Sequence, residues 1–119
     1  MNTLREPAVA ILGTSAEALA KREFIDSGRD ETTIAVIAKA RPLIVELRDR
    51  YAAGAPAPLH KTAAEEMRHL CEQLEKLGDA SGSERAQRAL HFEAGRINQF
   101  IMTHGAAVGA NGFEFKDQL

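Results

Sequence analysis

One cysteine, one tyrosine and no tryptophan are what this 119-residue chain has least of, and each scarcity removes an option. A lone cysteine excludes an internal disulfide and any zinc site built from several thiolates. Charge of one sign is also missing. Fifteen Lys and Arg stand against 17 Asp and Glu, a formal net charge of −2. That balance excludes a strongly basic nucleic-acid binder and an acidic disordered tail. No apolar run approaches the ~18 residues of a membrane-spanning helix. The run Pro7-Ala8-Val9-Ala10-Ile11-Leu12 is too short for a secretory core and lacks a convincing cleavage site, so it is read as a first structural element and the chain as cytoplasmic. Aromatic residues are only 5% and 21 residues are alanine, so the expected core is modest and built from Leu, Ile and Phe.

What the chain does hold is helix punctuation. One domain over 1–119 is expected from the length. Thr14-Ser15-Ala16-Glu17 has the spacing of a capping box and predicts a helix from there to about Ile25, with Ser27-Gly28 ending it. The stretch before it, Leu4 to Leu12, is compatible with helix or strand. Asp30-Glu31 opens the next helix, where acidic groups suit the positive end of the dipole. Its apolar residues, Ile34 through Tyr51, cover more than half of the circumference and make it central. Pro42 in its middle predicts a kink or break near Ala40-Arg41. Gly54 to Pro58 reads as an extended, Pro-containing linker. Thr62-Ala63-Ala64-Glu65 is a second capping box, followed by Met67, Leu70, Cys71, Leu74 and Leu77 at helical spacing. Gly78 to Gly82 predicts a turn, and Ser83 caps a last helix reaching His104, with Gly105 as its stop. Gly105, Gly109 and Gly112 punctuate a flexible C-terminal tail. The expected architecture is all-α, a compact bundle of four or five helices.

Candidate chemistry is thin. Glu66-Met67-Arg68-His69 has the E-x-x-H spacing of di-iron bundles, but those sites need a second such motif and two further glutamates. The helical wheel also turns Glu66 and His69 towards solvent. His91-Phe92-Glu93 lacks the P-C-x-x-C partner that a zinc deaminase needs. Cys71 falls on the apolar stripe, where a buried, inert thiol is the ordinary outcome. The three tail glycines precede no Lys-Ser/Thr pair, which leaves a phosphate cradle unsupported. No catalytic residue, metal ligand or cofactor is therefore assigned, and the chain is expected not to be an enzyme.

The last helix carries the best candidate surface. Ala86, Leu90, Ala94, Ile97 and Ile101 form a core stripe. Nearly opposite lie Phe92, Gly95, Gln99 and Met102, flanked by Arg88 and Arg96. Aromatics, Met and Arg are enriched in this way at binding surfaces. Gly95 leaves a notch for another backbone. The competing expectation packs Phe92 and Met102 against a second neighbour within the chain. Arg88, Phe92, Arg96, Gln99 and Met102 are the expected partner-binding residues. The function this points to is non-enzymatic interaction with a larger protein or with itself, as an adaptor, regulator or small inhibitor. Alanine and arginine usage fits a bacterial or phage chain. Two alternatives stay open: a dimeric nucleic-acid-associated regulator, marked by an arginine-lined surface free of carboxylates, and an enzyme whose site carries no recognisable motif.

Overall fold

Residues 5–26, 30–53 and 63–103 are described by the computed structural model. They form four helices and no strand: α1 (Arg5–Asp26), α2 (Glu31–Ala52), α3 (Ala63–Ala80) and α4 (Glu84–Thr103). The helical expectation holds, with four elements. The linker at 54–58, the Thr62 cap, the His104-Gly105 stop and the glycine-punctuated tail lie outside the described residues.

Spacing explains the packing. Thr33, Ile37, Ala40, Ile44, Leu47 and Tyr51 are the buried positions of α2. They alternate steps of four and three, the a/d rhythm that keeps one seam of a helix against its neighbours over several turns. Ala8, Leu12, Ser15 and Leu19 repeat that rhythm on α1, and all four are buried. Met67, Leu70, Cys71 and Leu74 of α3 meet Leu90, Ala94, Ile97 and Ile101 of α4 in the same core. The α1–α2 and α3–α4 pairs are the most extensively packed, and α2 touches all three other helices, the central place its wide apolar arc predicts. Thr33 at the start of α2 meets Ser83 before α4, and Tyr51 at the end of α2 meets Glu66 near the start of α3. The chain therefore runs up, down, up and down, with α1 antiparallel to α4.

Two local signals do not bound a helix, for identifiable reasons. The capping box at Thr14 is not a start, because α1 runs through it from Arg5 to Asp26 and makes Arg5 to Leu12, in the ambiguous first stretch, helix. The Thr14 hydroxyl donates back to the Ala10 carbonyl at 3.0 Å, a mid-helix use of threonine, while Ser15 is buried in the seam. Nor does Pro42 break α2. Proline lacks the N–H that would pair with the Ala38 carbonyl, but Ala38 and Pro42 are both exposed, so solvent can take that carbonyl.

The caps that do form bring two hairpins together. Asp30 accepts the Thr33 amide at 3.0 Å and the Thr33 hydroxyl. The Thr33 hydroxyl sits 2.6 Å from the Ser83 hydroxyl, which accepts the Ala86 amide at 3.1 Å as the cap of α4. One chain of hydroxyls thus joins the N-termini of α2 and α4. Between α3 and α4, Gly82 takes φ +73, the left-handed region where L side chains are strained. Gly78 is helical rather than part of the turn, and α3 continues to Ala80. A Cβ at Gly78 would lie 3.0 Å from the Gln87 Cα, so glycine there permits close approach of α3 and α4.

Candidate binding surface

A seam-directed bundle should bury its large apolar side chains, yet four among the described residues remain exposed: Phe24, Ile25, Phe92 and Met102. Phe92 is 65% exposed and Met102 74%. The internal-packing expectation therefore fails, since α4 packs on its neighbours through Ala86, Ala89, Leu90, Glu93, Ala94, Ile97 and Ile101 instead.

Phe92 lies in a cleft of about 540 Å³ between α1 and α4. Ala18, Leu19, Arg22 and Ile25 supply the α1 wall. On the α4 side Ala89 and Phe92 are flanked by Arg85, Arg88 and Arg96. The Arg96 guanidinium sits 5.2 Å from the Phe92 ring centroid and its Nε donates to Glu93 at 2.8 Å. Stacking on the ring and the buried Glu93 carboxylate together fix where Arg96 points. Arg88 is tied loosely, with Glu84 at 3.9 Å and both side chains more than 70% exposed.

Of the five expected site residues, the structure brings Arg88, Phe92 and Arg96 together and leaves Gln99 and Met102 apart. Gln99 donates to Thr103 at 3.3 Å, and neither it nor Met102 lines the cleft. On the helical wheel Met102 falls about 80° away from Phe92 and ~15 Å farther along the axis. Gly95 is exposed, and a Cβ there would meet nothing within 4 Å, so the notch is real but belongs to the outer face of α4. Sequence reasoning missed the α1 wall. Its signal was present: Ile25 is a large apolar residue off the 8-12-15-19 seam, and Arg22 sits on that seam where an apolar residue belongs.

Elsewhere, reactive side chains are engaged in holding the fold. Glu66 is 7% exposed, which overturns the expectation that it faces solvent, whereas His69 is exposed as expected. Glu66 accepts the Tyr51 hydroxyl at 3.0 Å and pairs with Arg50. Burial, and then the Glu66 charge, push the Tyr51 phenol far above its usual range. Cys71 is buried as expected, its Sγ 3.4 Å from the Ala94 carbonyl, and burial pushes its thiol up to about 12. His91 contacts Asp79 at 2.8 Å across the α3–α4 pair. Arg41 and Arg48 are held by Glu23 and Asp49. Among the described residues no group of three or more His, Cys, Asp or Glu is placed to hold a metal ion, and no described helix is long and apolar enough to cross a membrane. No protein-family model, curated protein or solved structure matches the chain significantly.

Proposed function

We propose that this chain is a non-enzymatic interaction protein, an adaptor or regulator that holds part of a larger protein in the cleft between α1 and α4. The observation that carries the reading is the exposure of Phe92 beside Ile25, on an apolar floor ringed by arginines. A large aromatic left mostly in water with a guanidinium over its ring suits an anchor for a partner, and such anchors with Arg around them dominate binding energies. The site residues of this reading are Arg88, Phe92 and Arg96 on α4 with Arg22 and Ile25 on α1. It is supported further by where the nucleophilic and acid–base groups sit. Cys71 and Tyr51 are buried with raised pKa values, and Glu66 is held between two helices.

The test separates docking from folding. Phe92→Ala should leave the thermal melt nearly unchanged, because the ring is 65% exposed. Wild type and Phe92→Ala, used as baits in the source cell, should differ in a protein whose purified form binds wild type and loses ~2 kcal/mol or more with the variant. A stability loss of ~3 kcal/mol or more would instead make Phe92 a packing residue. Equal binding by the two baits would remove the cleft from function. Light scattering that shows a dimer dissociated by Phe92→Ala would assign the surface to self-association.

A further inference from the structure

We infer that the occupant of the α1–α4 cleft is an acidic amphipathic helix of the partner protein, an assignment that rests on the docking reading above. The walls themselves select secondary structure. Both are helices, whose mid-helix backbone groups are already bonded within α1 and α4. An extended peptide would find no edge to pair with there, and its own amides would lie unpaired against side chains. A helix arrives with its backbone satisfied and can seat its ridge of side chains in the groove between two others. The dimensions agree. The α4 wall from Arg85 to Arg96 is about 17 Å long and the α1 wall from Ala18 to Ile25 about 10 Å, the reach of two to three helical turns.

Charge selects the occupant's chemistry. Arg22, Arg85, Arg88 and Arg96 border the cleft, and the carboxylates nearby are the buried Glu93, already committed to Arg96, the exposed Glu84, and Asp30, which feels the Arg85 charge, so four cations face three anions. The cleft is thus locally basic on a chain whose formal net charge is −2. A second copy docked by two-fold symmetry would place this arginine border against itself, a like-charge juxtaposition that opposes pairing. A partner helix with apolar residues at i, i+4 and i+7 would cover Phe92 and Ile25 and leave flanking carboxylates to meet the arginines, whose planar forks suit bidentate carboxylate binding. Nucleic acid would also answer to arginines, but a duplex's phosphate backbone would leave the exposed Phe92 and Ile25 between them uncovered, whereas an amphipathic helix covers them.

Fluorescence anisotropy with the full chain tests this. The probes are a labelled 18-residue peptide of leucines at i, i+4, i+7 and i+11 flanked by glutamates, the same peptide with lysines for glutamates, and a labelled 20-nucleotide single strand. Wild type should bind the glutamate peptide about tenfold or more tightly than the lysine peptide, with affinity falling as salt rises. Arg22→Glu/Arg88→Glu, at two exposed positions, should invert that order, and Phe92→Ser should weaken the glutamate peptide about tenfold or more. Equal binding of the two peptides, no binding of either, or tighter binding of the oligonucleotide would overturn the acidic-helix assignment. If that happens while Phe92→Ala still abolishes binding of the captured protein, the occupant's chemistry is wrong and the docking cleft stands. If Phe92→Ala is also silent there, both fall.

Discussion

Replacing Glu66 by alanine should damage this fold far more than a glutamate on a polar helix flank has any right to. The carboxylate is 7% exposed and serves two neighbours from α2: it accepts the Tyr51 hydroxyl at 3.0 Å and pairs with Arg50. Truncation removes the charged acceptor that Glu66 gives the buried Tyr51 hydroxyl, which costs about 1–3 kcal/mol. It also strips Arg50 of its carboxylate. Removing one partner of a fully buried pair costs about 3–5 kcal/mol, but Arg50 keeps 29% of its side chain in solvent, so about 1–2 kcal/mol is the fairer figure. The expected loss is therefore about 2–5 kcal/mol, enough to lower Tm by roughly 10–20 °C. Urea titration at neutral pH would measure it, beside Glu72→Ala as an exposed control on the same helix that should stay within about 0.5 kcal/mol. Tyr51→Phe should cost only about 1 kcal/mol, because Glu66 keeps Arg50. The double variant Glu66→Ala/Tyr51→Phe should be more stable than additivity allows, since the Tyr51–Glu66 hydrogen bond can be lost only once. A Glu66→Ala loss below about 1 kcal/mol, or strict additivity in the cycle, would refute the buried cluster and with it this α2–α3 contact.

Two glycines on the second hairpin should respond oppositely to alanine. Gly78→Ala drives a Cβ to 3.0 Å from the Gln87 Cα and should destabilise by about 1–3 kcal/mol, whereas exposed Gly95→Ala should stabilise by about 0.5–1 kcal/mol; equal signs in denaturant titrations would contradict the α3–α4 geometry. Cys71, with its thiol at about 12, should resist iodoacetamide at pH 8 in the native state and react once urea unfolds the chain, so prompt native labelling would place it at the surface. On the alkaline side the folded pKa exceeds the ordinary value of 9.0, so its contribution to stability is intact below pH 9 and is lost as pH climbs from there towards 12, which melts across that range would reveal. Asp30 and Asp79 behave in the opposite sense. Hydrogen bonds from Thr33 hold Asp30, and from Gln87 and His91 hold Asp79, below the ordinary 3.8, so their stabilising contribution should persist above that pH and fade below it. Asp30→Asn melts that show the same acid dependence as wild type would argue against the cap.

Much of the candidate site could be read from one helix, and the part that could not belongs to another. Phe92 between Arg88 and Arg96 stands off the core stripe of α4, which periodicity alone reveals. Arg22 and Ile25 complete the cleft from α1, some seventy residues earlier, and no local pattern states which helix lies beside α4. Grouping Gln99 and Met102 with Phe92 treated an outward arc of a wheel as one surface. The groove between two helices occupies only part of that arc.

Periodicity determined that this chain is helical and which residues make most of its core, because a side chain's face follows from backbone geometry at about 100° per residue. The caps at Asp30 and Ser83 and the inert place of Cys71 were equally local matters. Tertiary structure decided what a wheel leaves undefined at its edges. Glu66 sits only about 40° from Leu70 on the wheel, and it is buried because α2 closes over that flank with Tyr51 and Arg50. It decided the helix ends as well. The Thr14 capping box yields to continuation of α1, and Pro42 is carried through α2, since the seam burial gained along each full-length helix outweighs a weak local start signal and the ~3 kcal/mol that a proline costs a helix.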